Sequence, residues 1–369
     1  MDHRQTTLDA LRQRSLRARE KLSVVGLDGF VDTIVTPVAT RSGQGENFTA
    51  IPTIEDFGHR MLAAAGKSTN LELYPRMEKL GGNGPIMANA LMAHGSQVKY
   101  IGALGRHAIH PVFLDLSARA DVVSLCDPAS TTAVEFDDGK IMMGQMRSFD
   151  EISFERILEK IDRPALAQLL GAADLVALVN WTMIPGMTDI FRRLVAEVLP
   201  ELPSRERIFF FDLADPEKRS RDDMLQALDV IKDFESFGSV TLGLNLKEAQ
   251  QVHRSLGFHA LAEDEPGLRQ TAMDIRGKLG YSTVVVHPRE SAACATAQGS
   301  WWINGPYVDK PLITTGAGDH FNAGFTMGQL LGLPPECCLT TGVSTSGHYV
   351  RTAQSPSLED LQSFLANWR

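Results

Sequence analysis

A chain of 369 residues with 43% hydrophobic and 22% charged residues can bury one large core or two modest ones, and it is not the composition of a disordered chain. The formal net charge of -9 argues against nucleic acid or an anionic membrane as the main partner, so any phosphate site must be local. Cys126, Cys294, Cys337 and Cys338 form no Cys-x-x-Cys pair and no zinc-like spacing with histidine, which reads as reduced, structural thiols.

The N-terminus sets Arg4, Arg12, Arg14, Arg17 and Arg19 among Leu8, Leu11, Leu16 and Leu22. With no continuous apolar stretch there, the pattern predicts a charged helix, and we read the protein as cytoplasmic. No apolar run reaches membrane-spanning length. Leu22 to Phe30 reads as a buried strand that breaks into Gly26-Leu27-Asp28-Gly29-Phe30-Val31-Asp32. Glycines on both sides of an aspartate let the backbone turn at a strand end, where α/β proteins place ligands. The next stretch is looser, with a flexible loop at Ser42-Gly43-Gln44-Gly45, a short helix over Ile54 to Ala65 and an alternating strand over Leu71 to Met77.

Gly81-Gly82-Asn83-Gly84-Pro85 then opens a helix, and Val98 to Gly105 follows as a strand, the order of one alternating α/β unit. Asp138-Gly139 supplies the positive φ angles of a two-residue turn, so Thr131 to Met143 is a hairpin. Beyond Ser153 the apolar strands Leu175 to Asn180, Arg207 to Leu213, Val240 to Asn245 and Thr283 to Val286 alternate with helices, which predicts a parallel sheet covered on both faces. Asn180, Asp212, Asn245 and His287 stand at the ends of these strands, where open α/β sheets bind ligands. Asn245-Leu246-Lys247-Glu248 suits either a helix capping box or a site at a helix start.

Ile303, Tyr307, Val308, Leu312 and Ile313 have extended, apolar character and lead into Thr314-Thr315-Gly316-Ala317-Gly318-Asp319-His320-Phe321. Phe321, Phe325, Met327, Leu330 and Leu331 recur at helical spacing behind it. Gly316, Ala317 and Gly318 therefore sit at a helix N-terminus, where unpaired N–H groups and the helix dipole favour phosphate oxygens. Asp319 falls in the first turn, so an anion hole and a base lie side by side, the equipment of phosphoryl transfer.

The stretch from Thr314 to Gly324 resembles the C-terminal signature of the ribokinase-like (PfkB) carbohydrate kinases, with Ile313 where that family has aspartate. Gly81-Gly82 and Asn245-x-x-Glu248 resemble two further motifs of the family, and the likeness covers nearly the whole chain. The resemblance implies an α/β fold, a doubly wound and mostly parallel sheet flanked by helices, in one domain spanning residues 1–369. It implies a small β lid from inserted segments near 33–80 and 130–147, which makes the dimer contact in some members. It implies transfer of a phosphoryl group from ATP, with magnesium (Mg2+), to a hydroxyl of a sugar or sugar-like molecule. Asp319 would be the base and the Gly316, Ala317 and Gly318 amides the anion hole. Asp32, Asp28, Gly81, Gly82 and Asn83 would hold the acceptor, Asn83 standing in for a familiar asparagine that is Ile86 here. Thr314, Asn245, Glu248 and Gly342 would meet the nucleotide or its phosphates, with Glu248 reaching the metal through water. His287-Pro288 replaces a family Thr-x-Gly and Arg106 to His110 lacks the usual acid. A nucleoside kinase of the same fold, or a sugar- or nucleotide-binding protein without turnover, stays open on sequence alone.

Overall fold

The computed structural model describes residues 3–368. In chain order its first strands are β1 (Leu22–Leu27), β2 (Phe30–Arg41), β3 (Phe48–Ala50), β4 (Leu73–Gly81), β5 (Gln97–Gly102), β6 (Asp121–Ser124), β7 (Ala129–Phe136) and β8 (Gly139–Gln145). They are followed by β9 (Leu175–Leu178), β10 (Ile208–Asp212), β11 (Ser239–Asn245), β12 (Thr283–His287), β13 (Ser291–Thr296) and β14 (Gly299–Asn304).

Nine strands form one sheet in the order β14-β13-β12-β11-β10-β9-β1-β5-β6, parallel from β12 to β6 and antiparallel at the β13–β14 edge. A strand buried on both faces has no side chain left for solvent, which is why these strands read as continuous apolar runs. β10 shows it directly. Phe209 and Phe211 pack edge-on against Phe234 on one face, while Phe210 belongs to the opposite core with Phe321 and Phe325.

The second sheet is built from β2, β3, β4, β7 and β8, with β2 central between antiparallel β4 and parallel β7. Where the sequence suggested one strand from Leu22 to Phe30, Asp28-Gly29 ends β1 and sends β2 into this sheet. Gly29 permits the change because a Cβ there would stand 2.0 Å from the carbonyl oxygen of Ala103. The apolar stretch after β14 is not extended strand as expected; residues 305–316 carry no helix or strand. Pro306 and Pro311 lack the N–H that a ladder needs, and Leu312 is 73% exposed. Arg4–Arg14, Ile54–Ala63 and Pro335–Thr352 are helices near the expected places. None of the described helices is long and apolar enough to cross a membrane.

Helix Ala317–Leu330 lies against helix Pro335–Thr352 at close range. A Cβ on Gly324 would stand 2.4 Å from Thr345 Oγ1 and 2.7 Å from the Thr341 carbonyl oxygen, so only glycine fits. Gly324→Ala forces the pair apart, and we expect a stability loss of about 1–3 kcal/mol, typical of overpacking. Thermal unfolding measures it; an unchanged midpoint contradicts the tight crossing.

Candidate active site

Gly316 caps helix Ala317–Leu330 with φ 88°, a left-handed conformation that glycine adopts without strain. Ala317 donates its N–H to the Thr314 carbonyl at 3.2 Å, closing a turn. The N–H groups of Gly316 and Gly318 find no acceptor among the described residues. Thr314, Ala317, Gly318 and Asp319 line a cavity of about 430 Å³ at this helix end, of a size suited to a small-molecule ligand.

Asp319 is 9% exposed. Burial pushes its carboxyl up to about 8, with the Asn83 hydrogen bond opposing and the charges of Asp28 and Glu248 adding to the rise. Asn83 Nδ2 donates to Asp319 Oδ1 at 2.9 Å, which leaves Oδ2 to face the cavity's contents. Asn83 thus positions the carboxylate that sequence reasoning assigned as base.

Asp28 departs from its expected place as an acceptor ligand. Its carboxylate is fully buried and taken up by Asn83 N–H at 2.9 Å, Gly84 N–H at 2.8 Å and Asn180 Nδ2 at 2.7 Å. It faces the start of helix Asn83–Ala93 instead of a cavity, and burial lifts it to about 6. Gly82, at φ 99°, and Gly81 are required by the two aspartates. A Cβ on Gly82 would meet Asp28 Oδ2 at 2.9 Å, and one on Gly81 would meet Asp32 Oδ2 at 2.4 Å.

Asn245 and Glu248 form a complete capping box at the start of helix Leu246–Ser255, and both line the 430 Å³ cavity. Glu248 Oε1 also accepts the Asp215 N–H at 2.9 Å. Opposite lies Asp212, at the end of β10, whose Oδ2 accepts from Asn322 Nδ2 at 3.0 Å while its buried Oδ1 has no partner. Burial, then Glu248 and Asp319, holds Asp212 well above the carboxylate range. A spare oxygen on Asp212 and remaining lone pairs on Glu248 make an all-oxygen corner that fits a hydrated magnesium ion. No group of three His, Cys, Asp or Glu among the described residues is arranged to hold a metal directly. Asp212 stood out in sequence only as a polar strand end.

The far wall holds His287, stacked on Phe321 at 4.6 Å and kept neutral by burial, its pKa near 4. Gly342 is not on this wall. Val343, Ser346, Gly347 and Val350 line it, one face of helix Pro335–Thr352, whereas a Cβ on Gly342 would strike the Phe321 ring at 2.8 Å.

Asp32, 6% exposed, lines a second cavity of about 960 Å³ between the smaller sheet and the loop before Gly316, together with Ile86, Lys79, Lys140 and Thr315. Burial raises the Asp32 carboxyl, against a Thr131 hydrogen bond and the charges of Lys79 and Lys140. Lys140 Nζ donates to Thr315 Oγ1, tying the β8 strand to the loop before Gly316. Pro311 and Thr314 line both cavities, so the two are neighbours across the loop before Gly316, and Asp319 lines the smaller one. His107 and His110 line neither, and Arg106 pairs with Asp127 and Glu151.

The raised Asp319 pKa links this site to stability. In the unfolded chain the carboxyl loses its proton near 3.8, but in the folded chain only near 8, so ionisation opposes folding increasingly as pH climbs between those values. Asp319→Asn removes the penalty while still accepting from Asn83. Its unfolding midpoint should exceed that of the unaltered protein at pH 8.5, with the gap closing toward pH 4. A gap of the same size at every pH contradicts the shift.

The chain matches the model of the prokaryotic ketohexokinase family over residues 2–368. It is 27% identical over 345 residues to the ketohexokinase of Haloferax volcanii, covering 93% of this chain and 90% of that one. Among solved structures it is similar to Arabidopsis thaliana ribokinase complexed with ribose and ATP, with a TM-score of 0.65 and 17% identity over 94% of this chain and 98% of that one. It is also similar to the nucleoside kinase of Methanocaldococcus jannaschii, an archaeal member of the ribokinase family, with a TM-score of 0.60 and 12% identity over 94% of this chain and 98% of that one. At such identities the structures speak for the fold, which is that of ribokinase, whereas the family match runs the length of the chain; the protein belongs to the prokaryotic ketohexokinase family, carbohydrate kinases that are phosphotransferases with an alcohol acceptor.

Proposed function

We propose that this protein transfers the γ-phosphoryl group of ATP to a hydroxyl of a ketohexose. The observation that carries the proposal is the buried carboxylate of Asp319 beside unpaired amides, in the cavity holding Asn245 and Glu248 and next to the one holding Asp32 across Thr314. The family match and the Haloferax volcanii ketohexokinase support the choice of sugar.

In this reading the sugar lies in the larger cavity with Asp32 accepting from its hydroxyls, and the nucleotide lies in the smaller one against Val343, Ser346 and Gly347. Asp319 Oδ2 takes the proton of the reacting hydroxyl, Asn83 holding Oδ1 still. The sugar oxygen forms its bond to the γ-phosphorus as the bond to the β,γ-bridging oxygen breaks, and the electron pair leaves with ADP. The N–H groups of Gly316 and Gly318, with the Ala317 backbone between them, face the charge that develops on the phosphoryl oxygens. Asp212, with Asn245 and Glu248 acting through water, would hold Mg2+, which when bound offsets phosphate charge. Asp212, Glu248 and Asp319, which line this cavity, offer the phosphates no cation of their own, and a magnesium ion would supply that charge.

The β2–β3–β4–β7–β8 sheet serves as a lid that excludes water, so phosphate goes to sugar and not to solvent. Its Lys140 adds a cation beside Thr315 on closure. Met143, 42% exposed on the edge strand β8 and on the face opposite Met142, offers the surface for a lid-to-lid homodimer. The whole chain works as one domain, in the cytoplasm.

Coupled detection of ADP release over ketohexoses, aldoses, ribose and nucleosides tests the proposal. Turnover highest on a ketohexose supports it, and highest turnover on a nucleoside contradicts it. Asp319→Asn should cut kcat by about 10²–10⁴-fold, the range for a positioned general base, while nucleotide and sugar still bind. An Asp319→Asn enzyme with ordinary turnover would sink the assignment of the base.

A further inference from the structure

The amide cup is held by two side-chain contacts to its backbone carbonyls. Thr315 and Gly316 each present a carbonyl on the side away from the nucleotide cavity. Tyr349 Oη donates to the Thr315 carbonyl at 3.0 Å, and His320 Nδ1 lies 2.7 Å from the Gly316 carbonyl. A carbonyl only accepts, so Nδ1 carries the proton, and Nε2 is the acceptor for the Ser355 hydroxyl at 2.8 Å. The two rings stack face to face with centroids 3.6 Å apart and planes within 13°. His320 is 2% exposed and Tyr349 9%, so neither bond competes with bulk water.

Peptide planarity turns these contacts into a constraint on the cup. In a trans peptide the C=O of one residue and the N–H of the next point in opposite directions within one rigid plane. Holding the Thr315 carbonyl therefore sets the heading of the unpaired Gly316 N–H, and holding the Gly316 carbonyl, which also accepts the His320 N–H at 3.0 Å, fixes the Ala317 N–H that closes the turn onto Thr314. Gly316 makes the contact possible, since its bare Cα packs against Ile86 and Tyr349, where a Cβ would be 3.2 Å from Ile86 Cδ1 and 3.4 Å from Tyr349 Oη. A glycine at φ 88° is otherwise the freest point of the loop.

We propose that His320 and Tyr349 are positioning residues for phosphoryl transfer: as a stacked pair they grip the carbonyls of Thr315 and Gly316, and so aim the Gly316 amide and fix the turn that carries the cup before substrate arrives. The inference rests on the kinase reading above and adds to it the residues that preorganise its anion hole. Both groups keep their donor form across ordinary pH. Burial holds the His320 imidazole neutral to about 4 and lifts the Tyr349 phenol to about 12. Preorganised donors matter because an amide that must swing into place spends part of its electrostatic stabilisation on reorganisation.

The test uses the full-length protein and three variants. Tyr349→Phe removes one hydroxyl and keeps the ring stack. His320→Leu removes the Nδ1 donor, and His320→Asn restores an N–H close to the same point. We expect Tyr349→Phe and His320→Leu to lower kcat by about 10-fold or more, below the roughly 10²–10³ seen when an oxyanion donor is deleted outright. Both rings also line the larger cavity, so a raised sugar KM with ordinary kcat assigns them to acceptor binding and overturns the proposal, whereas His320→Asn should recover most of the kcat loss. Ordinary kcat in Tyr349→Phe overturns the proposal, as does His320→Asn behaving like His320→Leu. A fall in kcat that merely tracks a fall in unfolding midpoint assigns the contacts to fold stability and overturns it too. An unaltered protein with no transfer to any acceptor removes the kinase reading and this inference together, whereas failure of the variants alone leaves the kinase reading standing.

Discussion

Charge burial is the constraint around which this molecule is arranged. Asp28, Asp212, Glu248 and Asp319 are all buried side chains of one region, and burial lifts all four toward their neutral forms. A carboxylate left without donors there would be costly. The chain supplies donors to each: backbone N–H groups for Asp28 and Glu248, Asn180 for Asp28, Asn322 for Asp212, and Asn83 for Asp319. The oxygens left over, Asp212 Oδ1 and Asp319 Oδ2, are the ones that the proposed chemistry needs.

The sheet brings these donors together. Asp212 and Asn245 end the adjacent parallel strands β10 and β11, and His287 ends β12 directly beside Asn245. Helix Ala317–Leu330 then crosses the same edge with its N-terminus over the strand ends. Glycine at Gly324 lets it lie close to helix Pro335–Thr352, and that closeness brings Tyr349 within reach of Thr315. Packing in the core and the heading of a backbone amide are thereby connected through one helix pair.

Legibility in the sequence followed locality. The turn, the helix start and the place of Asp319 in its first turn depend on residues adjacent in the chain, and the structure has them as read. The parallel sheet was legible from apolar runs because burial on both faces leaves no other pattern. Asp28 was misplaced because its direction is decided by Asn180 and Tyr100, far away in sequence and brought near by β9 and β5. Gly342 was misplaced because helical phase relative to a cavity is set by what the helix packs on, here Phe321. Asn83 was picked for the acceptor; its bond to Asp319 spans 236 positions, a pairing no local pattern announces. The roles of His320, Tyr349 and Lys140 gave no signal, since His320 and Tyr349 act on backbone carbonyls and Lys140 meets Thr315 across 175 positions.

The pH dependence of kcat/KM for the sugar, measured in the unaltered protein and in Asn83→Ala, bears most directly on the claim that a buried, asparagine-held carboxylate does the proton abstraction. That ratio reports the ionisation of the free enzyme. The account predicts activity rising with pH through a single ionisation far above the ordinary aspartate range, near 8, and moving higher still when the Asn83 hydrogen bond is lost. A limb near pH 4, or the same limb in both proteins, would contradict it.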